Sequence, residues 1–346
     1  MSTDPKASDP KGQATALLRA RRSWHPAEIV FWVLAYAALF LFPNSALLLN
    51  EIAILALFAL SLDLLLGFAG IVSLGHAALF GCGAYVAGLF AKHVSGEPLL
   101  GLAIAATASA ALGFTSSFLV LRGSDLSRLM VTLGVAMLLG EAANKAAWLT
   151  GGADGLQGIV VGPVAGVFEF DLPGRTAYAY SLSTLLLLFL IARTVVASPF
   201  GASLLCIRDN ALRAAAIGIP VNARLVSIYT LAAVYAGIAG ALLTQTTQFV
   251  ALDVLDFHRS AEVLLVLVIG GAGTLYGGIL GALAFKLLQD ALSGFTPQYW
   301  QFWIGLILVA LVIVRRERLT AGLAGSVKAV EGRLRRLAGP SGPGPA

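Results

Sequence analysis

"GFAGIVSLGHAALFGCGAYVAGLF", residues 67–90, decides the fold. The stretch is apolar enough for lipid, yet it carries Gly67, Gly70, Gly75, Gly81, Gly83 and Gly88, with Ser73 and one imidazole, His76. A glycine inside a helix costs about 1 kcal/mol relative to alanine, so an uninterrupted spanning helix has no use for six. The stretch reads as chain that breaks and restarts within an apolar layer. A broken helix frees backbone N–H and C=O groups that lipid cannot satisfy. It survives only when buried in protein or lining a watery path.

The rest of the chain has the same character. Of its 346 residues, 58% are hydrophobic and 12% charged, with a mean hydropathy of +0.86. Soluble domains carry roughly 25% charged residues, so the composition excludes one. Long, unalternated apolar runs favour helices over a barrel. The net charge of +5 comes from basic residues gathered at the two ends. That is the pattern of chain flanking a membrane, not of a nucleic-acid surface. Cys82 and Cys206 lie in different kinds of segment and predict no disulfide framework. Residues 1–25 lack an apolar core ahead of a cleavage site, so no cleavable signal peptide is expected. They read as a disordered N-terminal tail.

Apolar segments run over 28–43, 46–66, 71–91, 99–121, 127–148, 177–197, 224–246, 261–270, 274–292 and 299–314. The expected fold is an all-α polytopic membrane protein with about ten transmembrane or re-entrant helical segments. Residues 26–318 form the transmembrane domain and 319–346 a basic cytoplasmic tail. "WQFWIGLILVALVIV" (300–314) runs into "RRER" (315–318), and Lys6, Lys11, Arg19, Arg21 and Arg22 mark the other end. The positive-inside rule therefore places both termini in the cytoplasm, with an even number of crossings between them. Loop 150–175 has three acids and one base, which suits the outside. Loop 198–224 sets Arg208, Arg213 and Arg224 against Asp209, which suits the cytoplasm. Ala232, Ala236 and Gly240, and likewise Thr107, Ala111 and Thr115, recur every fourth residue and predict close helix approach.

"GFAGIVSLG" (67–75) aligns with "GGAGTLYGG" (270–278) at an offset of 203 residues, pairing Gly67, Ala69, Gly70 and Gly75 with Gly270, Ala272, Gly273 and Gly278. Each stretch lies between two apolar runs, which predicts an internal parallel repeat with 127–197 inserted between its halves. Glycine-interrupted segments in corresponding halves point to a transport site. Gly67, Gly70, Ser73, His76, Glu262, Gly270, Gly273 and Thr274 are therefore the pathway candidates. Asp63 and Glu262 suit either a substrate amino group or the cap of a broken helix. Glu141–Lys145 and Lys286–Asp290 are spaced to pair on a helix. His76 predicts a neutral ring bonded to a backbone carbonyl.

No G-x-x-x-x-G-K-[ST], zinc motif or nucleophile elbow occurs. No catalytic residue, metal ligand or cofactor of its own is expected, and any ATP hydrolysis belongs to another subunit. In loop 198–224, Ser198 suits a cap ahead of Pro199, and Asp209 or Asn210 suits the cap of a second short helix, "ALRAAAI". Gly218 suits its end. Ala211, Ala214 and Ala215 are expected on one side, where a partner could seat.

"GFAGIVSLGHAALFGCGAYVAGLF", "TGGADGL", "SPFGASLLCIRDNALRAAAIGIPV" and "EVLLVLVIGGAGTLYGGILGA" together resemble the LivM-type permease subunits of branched-chain amino-acid ABC importers, over roughly residues 30–315. The resemblance implies a multi-pass subunit of the bacterial inner membrane. It also implies a second permease chain, two ATP-binding cassette subunits carrying ATP and Mg, and a periplasmic substrate-binding protein. The family's ATPase-facing loop carries "RDN" and "AAxxGI", matched here by Arg208, Asp209, Asn210, Ala215, Ala216, Gly218 and Ile219. Arg208, Asp209, Asn210, Arg213, Ala214, Ala215 and Gly218 are thus the expected coupling residues. Related permeases carry urea or short amides. A stand-alone secondary transporter or channel using Asp63, His76 and Glu262 is the other reading the residues leave open.

Overall fold

Apolar runs with interspersed glycine and alanine form long helices that pack closely, and the computed structural model of the chain follows that rule. It describes residues 26–313 except 124, 172, 296 and 297. The expected tails, 1–25 and 319–346, lie outside the described residues. Regular structure among the described residues is helical, apart from isolated bridges joining Leu156 to Val250 and Val164 to Phe168.

The helices are α1 (Pro26–Leu41), α2 (Ala46–Asp63), α3 (His76–His93), α4 (Pro98–Val120), α5 (Asp125–Lys145), α6 (Ala147–Thr150) and α7 (Arg175–Val196). Then follow α8 (Pro199–Asp209), α9 (Ala211–Ala216), α10 (Val221–Thr247), α11 (Phe257–Gly270), α12 (Tyr276–Phe295) and α13 (Trp300–Ile313). Five stretches among the described residues are long and apolar enough to cross a membrane: Pro43–Phe68, Pro98–Val120, Leu126–Lys145, Arg175–Val196 and Val221–Thr247. The other apolar segments form shorter or less apolar helices. At 14 residues, α11 is about 21 Å long and falls short of a ~30 Å hydrocarbon layer.

The chain divides into two units at Lys286 and Leu287, within α12. In the first, α2 is apolar all round and buried from Ile52 to Asp63, as a central helix must be. Helices α3, α7 and α10 pack around it or one another, and α4 covers α3 and α10. Small residues set the distances. A Cβ on Gly83 would strike the backbone of Gly237, and one on Gly240 would strike the Phe80 carbonyl. Ala232 and Ala236 are buried on the same helix as Gly240, as their spacing predicts. The expected stripe on α4 is wrong: Thr107, Ala111 and Thr115 are exposed. Its packed face is Gly101, Ala105, Ser109 and Gly113, also at four-residue spacing. Thr107 and Thr115 instead return their hydroxyls to carbonyls of their own helix, which satisfies them without a neighbour.

Polar side chains tie the buried helices together. Ser181 Oγ donates to Asn50 Oδ1 at 2.6 Å, and Asn50 Nδ2 donates to Thr246 Oγ1 at 3.1 Å. Tyr180 donates to Gln245 Oε1 at 3.0 Å, and Gln245 Nε2 donates to the Pro98 carbonyl at 2.8 Å. Such bonds join helices for which lipid provides no hydrophobic drive to associate. Cys82 and Cys206 are both free thiols. In the second unit, Tyr299 and Phe302 are exposed and the Phe302 and Trp303 rings meet edge to face at 5.6 Å.

Candidate functional site

The chain breaks twice where glycines allow left-handed backbone. Helix α2 loosens into one π-helical turn, Leu64–Ala69, and ends at Gly70 with φ 72°. Irregular chain then leads to α3. Helix α11 ends at Gly270, and the turn to α12 holds Gly271 at φ 96°, Gly273 at φ 85° and Leu275 at φ 54°. Gly70 and Gly273, paired by the offset of 203, thus share positive φ; Gly75 and Gly278 differ, one preceding α3 and the other lying inside α12.

The two breaks meet. A Cβ on Gly67 would strike both Asp63 Oδ1 and the Gly273 amide. Asp63, wholly buried at the end of α2, accepts from Gly273 N at 2.6 Å and from Leu275 N at 3.0 Å. Of the two roles its position suggested, it performs the cap: one carboxyl group holds the second break in its left-handed form, using amides that would otherwise be stranded. Thr274 stays local, its hydroxyl donating to the Gly271 carbonyl at 3.2 Å and accepting from Gly277 N at 3.0 Å. Gly270 packs against the start of α12, where a Cβ would strike the Gly277 carbonyl.

The surface loop reaches these breaks. Arg208, at the end of α8, donates through Nη1 to the Gly67 carbonyl at 2.5 Å, and its stem lies against Gly70. A cavity of about 460 Å³ opens beside it, lined by Arg208, Gly273, Thr274, Tyr276, Arg193 and Glu28 among others. Arg193 and Glu28 form an ion pair. Asp209 pairs with Arg208 at 3.4 Å. Asn210 caps α9, its side chain accepting from Arg213 N at 2.9 Å, and Gly218, φ 88°, ends the turn. Ser198 does not cap α8; its hydroxyl donates to the Val195 carbonyl at 2.6 Å. The expected alanine face is also corrected. Ala214 is buried against the chain itself, while Ala211 and Ala215 are exposed with Leu212 at 86% and Ile217 at 69%. The six-residue helix must bury one side on its own protein, and that side is Ala214's. Leu212 and Ile217 were legible only as apolar residues in a polar loop.

A second cavity, of about 260 Å³, lies along α2 and is lined by Glu51, Ile54, Leu55, Phe58, Phe80, Leu243, Thr247, Arg259, Glu262 and Lys286. Glu262 lines it and is paired: Arg259 bonds Glu262 at 3.3 Å and Asp253 at 3.0 Å. Lys286, expected to pair with Asp290, instead reaches Glu51 at 3.0 Å, since its side chain turns toward α2. Glu141 and Lys145 pair as their spacing predicts, at 3.6 Å on an exposed face. Arg259 and Glu51 were overlooked in the sequence, although the three-residue spacing of Arg259 and Glu262 was a usable signal.

Ser73 and His76 are wholly buried in this state. His76 stacks on Phe58 at 5.5 Å, and its Nε2 lies 2.7 Å from Ser61 Oγ. Ser61 spends its one proton on the Phe58 carbonyl at 2.6 Å, so Nε2–H is the donor to Ser61. The expected carbonyl partner is thus reached through a hydroxyl.

A family model described as "Branched-chain amino acid transport system / permease component" matches residues 44–312. The chain belongs to this family. The match covers both breaks, the surface loop and every lining residue of the cavity along α2, and its description is that of a permease component. The high-affinity branched-chain amino acid transport system permease protein LivM of Escherichia coli (strain K12) and that of Salmonella typhimurium are each 26% identical to it over 282 residues, 75% of this chain. The match spans 66% of their length. The L-arabinose ABC transporter permease protein AraH of Azospirillum brasilense is 27% identical over 294 residues, 79% of this chain and 78% of AraH. No solved structure matches the chain.

Proposed function

We propose that the chain is the transmembrane permease subunit of an ABC importer for branched-chain or related amino acids, powered by a separate ATPase. It works in a bacterial inner membrane beside a second permease chain, two ATP-binding cassette subunits that hold ATP and Mg, and a periplasmic substrate-binding protein. Both termini and loop 198–224 face the cytoplasm, and the two broken segments are parallel repeats about the pathway. Family membership and the LivM relatives support this reading.

The observation that carries it is the bond from Arg208 to the Gly67 carbonyl. The same residue ends α8, next to a capped surface helix with Leu212 and Ile217 exposed. Two large apolar side chains outside the lipid-facing helices suit a protein partner. Arg208 links that surface to the first break, and Gly67 touches the second, which Asp63 holds. Movement of α8 and α9 on ATPase closure is thereby passed to both breaks as a rigid-body shift. Gly67, Gly70, Gly270, Gly273 and Thr274 line or border the moving part of the pathway. Ser73 and His76 support it from the core, and Glu262 belongs to the cavity along α2.

Leu212→Asp tests the docking step. It places a carboxylate on the exposed face and leaves the Asn210 cap and Ala214 untouched. The variant should reach the membrane at normal levels but fail to co-purify with the ATPase, and uptake in reconstituted vesicles should be lost. Normal co-purification and uptake would overturn the assignment of this loop.

A further inference from the structure

An apolar cavity of about 310 Å³ shares helices α1, α7 and α12 with the larger cavity beside Arg208. On α1, Glu28 lines the larger one, and Phe31, Trp32, Ala35 and Ala38 line the apolar one. On α7 the order is Arg193 and Phe189, then Leu185 and Leu182; on α12 it is Tyr276, then Ile279 and Leu283. Steps of three and four residues keep each set on one helix face. The order along all three helices therefore puts charge at one end of a slot and apolar side chains at the other. From Glu28 to Ala38 the slot follows about 15 Å of α1, half of a ~30 Å hydrocarbon layer. Aromatic rings stand where the two cavities adjoin: the Tyr276 ring centroid lies 4.7 Å from that of Phe189 and 5.9 Å from that of Phe31, and the Trp32 centroid 5.4 Å from that of Phe189.

The charges that line the polar end are Arg193, Arg208 and Glu28, one base in excess. Glu28 is paired with Arg193, and Asp209, the acid beside Arg208, lies outside the lining. The positive end of the α12 dipole, at Tyr276, adds to the excess. Two donors at the junction lack an acceptor. Tyr276 Oη and Trp32 Nε1 are buried and form no hydrogen bond, and an indole N–H can only donate. Buried polar atoms are ordinarily paired, so these two suit a ligand that brings acceptor oxygens.

We propose that the slot holds one anionic glycerophospholipid of the cytoplasmic leaflet. Its phosphate accepts from Arg193 and Arg208, its ester oxygens accept from Tyr276 and Trp32, and one acyl chain lies on Leu182, Leu185, Ile279 and Leu283. Basic pockets between membrane helices on the cytoplasmic side suit such headgroups. Thr274 at the polar end and Leu34 at the apolar end are exposed, so the slot is open along its length to a lipid from the bilayer. A zwitterionic lipid brings its own cation toward the two arginines and binds less well. A free phosphate fills the polar end and gains nothing from the apolar one. The proposal takes from the permease reading only the placement of this end in the cytoplasm. The headgroup then touches Arg208, which also bonds the Gly67 carbonyl, so lipid occupancy bears on the first break.

The test is fluorescence quenching of the purified full chain in phosphatidylcholine nanodiscs that contain a fraction of either phosphatidylglycerol or phosphatidylcholine brominated on its acyl chains. The chain has five tryptophans, and the difference from Trp32→Phe isolates the emission of Trp32. Brominated phosphatidylglycerol should quench Trp32 at about one fifth of the mole fraction that brominated phosphatidylcholine needs, the factor that goes with one basic side chain near an anionic lipid. Arg193→Gln should abolish this preference. Because Arg193→Gln also leaves Glu28 unpaired, Glu28→Gln is the deciding variant. It keeps both arginines, removes the acid that competes for Arg193, and should increase the preference by a further factor of about five. Inorganic phosphate, added with ionic strength held constant by chloride, should not displace the lipid. Equal quenching by the two lipids, no quenching assignable to Trp32, an unchanged or weaker preference in Glu28→Gln, or displacement by inorganic phosphate would overturn the proposal; the last would leave an anion site and no lipid site. None of these readings uses the ATPase or a transported substrate, so loss of the docking proposal leaves this one standing, and the reverse holds too.

Discussion

Replacing Asp63 with alanine removes both acceptors that hold the turn between α11 and α12. The amides of Gly273 and Leu275 lose bonds of 2.6 and 3.0 Å in a buried setting. Bonds between membrane helices average about 0.6 kcal/mol, so two of them set a floor near ~1 kcal/mol. A buried donor left without a partner costs about 1–3 kcal/mol, so two set a ceiling near ~6 kcal/mol. The middle of that range is expected: Gly271, Gly273 and Leu275 all have positive φ, but the Thr274 hydroxyl, bonded to the Gly271 carbonyl and Gly277 N, still holds part of the turn. Asp63→Asn should lose less, since one carbonyl oxygen still accepts one amide. The assay is the fraction of full chain remaining monodisperse in detergent after graded heating. The order should be native, then Asn, then Ala. Uptake by the assembled transporter should fall with it. An alanine variant as heat-resistant and as active as the native chain would refute the view that this carboxyl group shapes the second break.

Two further outcomes follow from particular geometry. Gly83→Leu drives a side chain into the backbone of Gly237 and should abolish folded protein in the membrane, whereas Gly134→Ala, with nothing within 4 Å of the new Cβ, should be tolerated and add up to ~1 kcal/mol of helix propensity; heat resistance of the two variants in detergent reads both. In the loop before α7, Asp171 is partly buried, which raises its carboxyl pKa. The bonds from the Thr176 and Arg175 amides and the Thr176 hydroxyl outweigh this and hold it below the usual carboxylate value. A depressed folded pKa contributes stability above the unfolded value of about 3.9, and that contribution is lost as pH falls through the folded value. Hydrogen exchange at the Thr176 amide, corrected for its intrinsic pH dependence, should therefore be constant from pH 8 to pH 5 and rise below about pH 4; in Asp171→Asn the acid-side rise should vanish.

The sequence alone was sufficient for whatever depends on local chain chemistry. Apolar runs placed the helices within a few residues, because lipid demands that each span satisfy its own backbone. Helix breaks at Gly70 and Gly273 were legible because few other residues accept positive φ without strain, and the Gly218 stop and a cap at Asp209 or Asn210 were legible for the same kind of reason; the structure selects Asn210. The four motif blocks carried the family. Packing decided what remained. Every face of an apolar helix looks alike in sequence, so the stripe at Thr107, Ala111 and Thr115 was as plausible as Gly101, Ala105, Ser109 and Gly113; only the neighbour selects. Ala214 turned inward and left Leu212 and Ile217 outside, a choice made by the protein under α9 and not by α9. Long side chains were the least legible. Arg208 crosses to Gly67, Lys286 to Glu51, and Asp63 to Gly273 and Leu275, each over a separation of more than a hundred residues. Such partners are set by which helices become neighbours, and that is a property of the assembled bundle.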